Sequence, residues 1–216
     1  MAESSSKMTA VFPIIRHLSK PLSNLLVKLP ITPNQITGAA LIYGLIGCLF
    51  LISPKQEMRV IGSLLFIFGY ILDNCDGEVA RIKNLTSEFG EKYDTFVDWI
   101  VHAVFFIPRG YGFAQETNDY LWLWLGFAGG VGGTINYLIG MFKEKSDDTI
   151  EVESQPENVK EYLVYIFREL FRADFCFIVL ILALVDEIWL LLPAGAVGAQ
   201  VYWLMHIMSR DKNYHV

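Results

Sequence analysis

The 216-residue chain has little charge, sulfur or histidine. Charged residues make up 19% of it and sum to a net −6, which leaves no basic footprint for nucleic acid. Its three cysteines, Cys48, Cys75 and Cys176, lie far apart inside apolar runs. An odd, scattered set of this kind builds neither a disulfide framework nor a zinc site and is expected to serve as small buried hydrophobes. The opening residues, MAESSSKMTA, contain no apolar core, so no cleavable signal peptide is expected there. The apolar runs do not alternate with polar residues as lipid-facing strands would, which argues against a barrel. There is no internal repeat and no sign of a second domain.

What the chain has is apolar length. Hydrophobic residues make up 53% and aromatics 14%. Crossing a bilayer as helix takes about 20 mostly apolar residues. Six runs fit, over 35–53, 59–82, 89–112, 118–142, 171–186 and 188–208, the last two meeting at Asp186-Glu187. The expectation is an all-α, polytopic membrane protein forming one domain over 1–216, with a six-helix bundle over 35–208. Residues 8–31 mix apolar side chains with Arg16, Lys20 and Lys28 and read as an amphipathic helix on the membrane surface, broken near Pro21. Thr32 and Pro33 are a natural N-cap and first helical residue for the first span.

Of 17 basic residues, all but Lys55, Arg59 and Arg109 fall on one side of this six-span layout. The Lys/Arg excess marks the cytosolic side, so both termini are expected there. Tyr120, Trp122 and Trp124, at the outer end of the fourth span, suit interfacial anchors. Gly126 with Gly130, and Gly129 with Gly133, have the spacing that lets membrane helices approach, within one chain or across a dimer. Residues 143–160 are charged and aperiodic and read as a solvated cytosolic loop.

Against this background residues 73–98, DNCDGEVARIKNLTSEFGEKYDTFVD, stand out. Ionisable groups inside spanning helices are costly and mark function more often than structure. Counted from Leu85 in the turn, Asp76 and Asp94 lie at matched depth, and so do Asp73 and Asp98. Asp73, Asp76 and Ala80 share one helical stripe; Gly90, Asp94 and Asp98 share another. Four carboxylates facing one another repel strongly unless hard cations sit among them. All-oxygen ligation suits Mg²⁺ or Mn²⁺, with Ca²⁺ as a further occupant, and four carboxylates suit two metals ~4 Å apart, an arrangement used for displacement at phosphorus. Asp98 lies about 12 Å along the helix from Gly90 at ~1.5 Å per residue, so the pocket would open to the cytosol and end inside the membrane. Gly77, Ala80 and Gly90 leave room at its mouth, and Arg81 suits a phosphate. A structural polar network, a proton path or the ion site of a cation-coupled transporter could also use such carboxylates. None of these needs the paired glycines and the arginine, and the inverted repeats common in transporters are missing.

The pattern D-x-x-D-G-x-x-A-R, eight residues, then G-x-x-x-D-x-x-x-D resembles the signature of the CDP-alcohol phosphotransferases, also called CDP-alcohol phosphatidyltransferases. TPNQIT at 32–37 is similar to that family's entry to the first span. The resemblance implies a six-helix membrane fold, usually a homodimer, with a binuclear metal site. It implies attack of an acceptor hydroxyl on the β-phosphorus of a CDP-linked donor, with CMP leaving. Asp73, Asp76 and Asp94 would be metal ligands. Asp98 would be both ligand and general base. Gly77, Ala80, Arg81 and Gly90 would line the nucleotide site, with Asn34 and Thr37 also touching it. His102, one turn beyond Asp98, could tune it, and Arg168 and Arg172 could hold an anionic head group or serve as anchors.

Overall fold

The computed structural model describes residues 13–143 and 174–210. Arg168 and Arg172 lie outside the described residues, as does most of the expected charged loop. Within them the chain is helical, with no strand: α1 Ile15–Leu26, α2 Pro33–Phe50, α3 Gln56–Lys83, α4 Glu88–Thr117, α5 Leu121–Lys143, α6 Phe175–Leu184, a 3-10 turn Ile188–Leu190, and α7 Leu191–Arg210.

Local chemistry sets several of these boundaries. The Thr32 hydroxyl accepts from Gln35 N–H at 3.3 Å, and Gln35 Oε1 accepts from Thr32 N–H at 2.9 Å, closing a capping box ahead of Pro33. Ser87 caps α4 by accepting from Gly90 N–H at 3.1 Å. At their C-termini α3, α4 and α6 turn through Asn84, Asn118 and Asp186, which hold positive φ angles of 54°, 53° and 65°. These are the residue types that tolerate the left-handed region best after glycine.

Pro21 does not break α1, contrary to expectation; the helix runs through it. Pro21 lies on the exposed side, while Ile15, Ser19 and Ser23 are buried on the other. The start of α1 is fixed from a distance. Asp174, fully buried, accepts from Ile14 N–H and Ile15 N–H, both at 2.9 Å. A carboxylate at a helix N-terminus satisfies donors that have no partner within the helix and opposes the positive end of its dipole.

The aspartate-bearing helices α3 and α4, joined through the turn at Leu85, make little direct contact with each other. Instead α2 packs on both. Close approach makes this possible: a Cβ on Gly47 would stand 2.7 Å from the Gly62 carbonyl oxygen, and one on Gly69 would stand 3.1 Å from Gly44 N. Where α3 and α4 do meet, they do so through long side chains, with the Phe66 and Phe105 rings 5.1 Å apart. The core they share holds Cys48, Tyr70, Val97, Val101, Cys176 and Val179; the three cysteines are free and buried.

Of the span-4 glycines, Gly126, Gly129 and Gly130 are taken up within the chain, while a Cβ on Gly133 would meet nothing within 4 Å. A Cβ on Gly126 would come 2.6 Å from the Phe106 carbonyl oxygen and one on Gly130 2.8 Å from that of Ala103, so this face of α5 seats on α4. Tyr120 and Trp124 point outward, whereas Trp122 turns in against Phe113 and Trp189, with ring centroids 4.8 and 5.5 Å away. Two described helices, α2 and α3, are long and apolar enough to cross a membrane. The helix α6 has ten described residues.

Candidate metal and nucleotide site

Asp73 and Asp76 come from the second half of α3, Asp94 from the second turn of α4, and Thr37 and Asn34 from the first turns of α2. A ligand oxygen from each of Asp73, Asp76 and Asp94 lies within 4.8 Å of the others. Asp76 is buried and the other two half-buried. Asp94 Oδ1 is buried without a hydrogen-bond partner. Three converging carboxylates with an unpartnered buried oxygen form a donor set that fits a hard divalent cation and would repel itself without one.

The Thr37 hydroxyl, itself buried, donates to Asp76 Oδ2 and sits 3.2 Å from the Pro33 carbonyl. It therefore fixes the orientation of a candidate ligand from behind, a task the sequence did not reveal for it. Asp98 is not one of these three but lies beside them. It is exposed on α4 and shares with Asp73 a deeper cavity of about 10 Å³, room for one water, lined also by Gly44, Tyr70 and Val101. The insertion of α2, with Gly44 close to Val101, holds α4 away from α3 just below this level.

Every other residue singled out for the nucleotide lines one cleft of about 160 Å³ that also contains Asp76 and Asp94: Asn34, Thr37, Gly77, Ala80, Arg81 and Gly90. The glycines keep it open. A Cβ on Gly90 would meet Asn34 Oδ1 at 3.3 Å, and one on Gly77 would meet Arg81 Nη1 at 3.3 Å. Glu91 and Ser87, not singled out in the sequence, line the same cleft.

His102 does not contact the Asp98 carboxylate. Its Nδ1 is 2.7 Å from the Asp98 backbone carbonyl, which can only accept, so Nδ1 carries the proton. Nε2 pairs with the Tyr70 hydroxyl. The histidine ties α4 to α3 beside the deeper cavity.

The family profile described as CDP-alcohol phosphatidyltransferase matches residues 30–146. An uncharacterised protein of Aquifex aeolicus is 34% identical over 107 residues, 50% of this chain and 53% of that protein. A bifunctional IPC transferase and DIPP synthase of Thermococcus kodakarensis is 31% identical over 116 residues, 54% of this chain and 26% of that protein. A CDP-diacylglycerol–serine O-phosphatidyltransferase of Helicobacter pylori is 32% identical over 72 residues, 33% of this chain and 29% of that protein. The chain thus spans about half or less of the length of these curated relatives. Among solved structures, a Mycobacterium tuberculosis phosphatidylinositol phosphate synthase with CDP-DAG bound is similar in fold, with a TM-score of 0.58 and 21% identity over 88% of this chain and 92% of that one. The chain belongs to the CDP-alcohol phosphatidyltransferase family.

Proposed function

We propose that this chain is an integral membrane transferase that moves a substituted phosphate group from a CDP-linked donor, a CDP-alcohol or CDP-diacylglycerol, to a hydroxyl acceptor, releasing CMP, in the synthesis of phospholipids or related polar lipids. The observation that carries this reading is the convergence of Asp73, Asp76 and Asp94 beside the cleft lined by Asn34, Gly77, Arg81 and Gly90. Family membership and the relatives' named activities support it.

Asp73, Asp76 and Asp94, with Asp98 as a fourth ligand, would hold two divalent cations, Mg²⁺ or Mn²⁺. Bound there, such cations neutralise phosphate charge as the bond to phosphorus changes partners. The rest falls to the chain. Arg81 offers a planar fork of donors to the diphosphate. Gly77, Ala80 and Gly90 let the nucleotide approach backbone, with Asn34 and Thr37 beside it. Asp98, exposed next to the trio, takes the proton of the acceptor hydroxyl, and the new phosphodiester forms as CMP departs.

The setting is a bilayer crossed six times, with α1 on its cytosolic surface and both termini and the cleft on that side. Large apolar side chains left outside the bundle support this, among them Ile42 and Leu49 on α2, Leu64 on α3 and Val197 on α7. Arg59 and Arg109, exceptions to the charge asymmetry, are buried in ion pairs rather than displayed at the surface. The chain acts as a homodimer whose interface lies away from Gly126 and Gly130.

The test is CMP release from purified protein in nanodiscs, with CDP-diacylglycerol, CDP-choline, CDP-ethanolamine, CDP-glycerol and CDP-inositol offered in turn to pools of hydroxyl acceptors. Metal-dependent CMP from one donor is expected. In Asp98→Asn the rate should drop by about 10²–10⁴-fold while CMP still binds. A folded protein that binds no cytidine nucleotide and releases no CMP would overturn the reading.

A further inference from the structure

A second cleft, of about 620 Å³ and widely open, lies between α1 and the end of α3. Arg16, Lys20 and Asn24 line it from α1, and Glu78, Arg81 and Ile82 from α3. Arg16 and Lys20 are one helical turn apart on α1 and face the same space. All three cations are exposed, and among the described residues none forms an ion pair. Glu78 is the one carboxylate in the lining, and the Ser19 hydroxyl donates to its Oε1 at 3.0 Å, holding it toward α1. The wall therefore carries a net positive charge, and like charges crowd there unless an anion joins them.

Arg81 lines both this cleft and the nucleotide cleft. The two clefts are neighbours that meet at this residue. An anion held by Arg16 and Lys20 would thus sit next to the diphosphate end of the nucleotide cleft.

We propose that the cleft between α1 and α3 is an anion site for a phosphate ester, distinct from the nucleotide cleft and joined to it at Arg81. Two sources carry that chemistry: a soluble phosphorylated alcohol, and the phosphate of an anionic lipid in the leaflet on which α1 rests. The neighbouring position ties either source to the proposed transfer reaction and so rests on that reading, but binding of the phosphate does not.

The experiment measures binding of radiolabelled inorganic phosphate to the full chain in uncharged detergent with EDTA present, so that no divalent cation can hold phosphate at the aspartates. Wild type is compared with the double variant Arg16→Gln/Lys20→Gln and with the control Lys28→Gln/Lys55→Gln, which removes the same charge elsewhere. Circular dichroism and gel filtration confirm that each variant is folded. CMP binding with Mg²⁺ is measured in parallel, so that failure of the nucleotide reading shows separately. Saturable phosphate binding is expected, weakened by about tenfold or more in the Arg16/Lys20 variant and little changed in the control. No saturable binding, or equal loss in both variants, overturns the proposal. Displacement by glycerol 3-phosphate alone assigns the site to a soluble ester, and by dihexanoyl phosphatidylglycerol alone to a leaflet lipid. Displacement by both supports a site that reads only the phosphate, and by neither overturns it.

Discussion

Thr37 sits where two roles meet. It faces the nucleotide cleft, yet its hydroxyl is committed to Asp76. Replacing it by Val keeps the shape and removes the donor. An oriented ligand's partner typically accounts for about 10–100-fold in metal affinity. Thr37→Val should therefore raise the Mn²⁺ concentration needed for half-maximal CMP release by roughly tenfold or more. Weakened CMP binding at an unchanged metal requirement would make it a nucleotide contact instead. That Asp73 and Asp76 share one face, and Asp94 and Asp98 another, was legible from spacing alone, because helical periodicity fixes which side chains share a face. The two bonds of His102 could not be read there, because one of them reaches Tyr70 on another helix.

The helix packed on both α3 and α4 is α2. Spacing within residues 73–98 predicts a hairpin, and nothing in the segment tells that residues 33–50 enter between its arms. The signal that could have been found was the glycine series on α2 and α3: Gly44 and Gly47 on one, Gly62 and Gly69 on the other. Gly47→Val tests this packing. Its branched side chain would need space that the Gly62 carbonyl and Phe66 backbone already occupy, with the first added atom 2.7 Å from one and 2.9 Å from the other. Overpacking of this kind costs about 1–3 kcal/mol. A lower thermal midpoint in detergent and a loss of CMP binding are expected, because α2 carries Asn34 and Thr37. A midpoint equal to wild type would mean the helices are farther apart than described. The capping box at Thr32 was legible because it is local. The capping of α1 by Asp174 was not, because 159 positions separate donor and acceptor.

Across the whole molecule the polar groups collect at two ends. One holds the aspartates and the two clefts; the other holds a network around Glu116. Its Oε1 accepts from Arg109 Nη1 at 2.8 Å and from Arg59 Nη1 at 3.2 Å. Arg59 also pairs with Asp186, donates to the Ser53 and Pro54 carbonyls at 3.1 and 3.0 Å, and so joins the α2–α3 connection to α4 and the end of α6. Both arginine side chains are at most 4% exposed. Glu116→Ala would leave two buried guanidinium groups without their shared anion, a change that typically costs about 3–5 kcal/mol. A marked drop in thermal midpoint is expected, with the metal affinity of surviving folded protein unchanged. A silent substitution would show that water reaches these groups. Hydropathy and charge bias gave the helix order of this end, but the pairing of its arginines depends on tertiary contacts between residues up to 127 positions apart.

The account turns on Asp73, Asp76 and Asp94 holding divalent cations beside the nucleotide cleft. Electron paramagnetic resonance of Mn²⁺ titrated into the purified chain tests this most directly. The account predicts saturation at about two Mn²⁺ per chain with magnetic coupling between them, as a pair ~4 Å apart requires, and loss of that coupled signal in Asp94→Asn. Mn²⁺ that binds only weakly and without coupling, or equally well to Asp94→Asn, would contradict it.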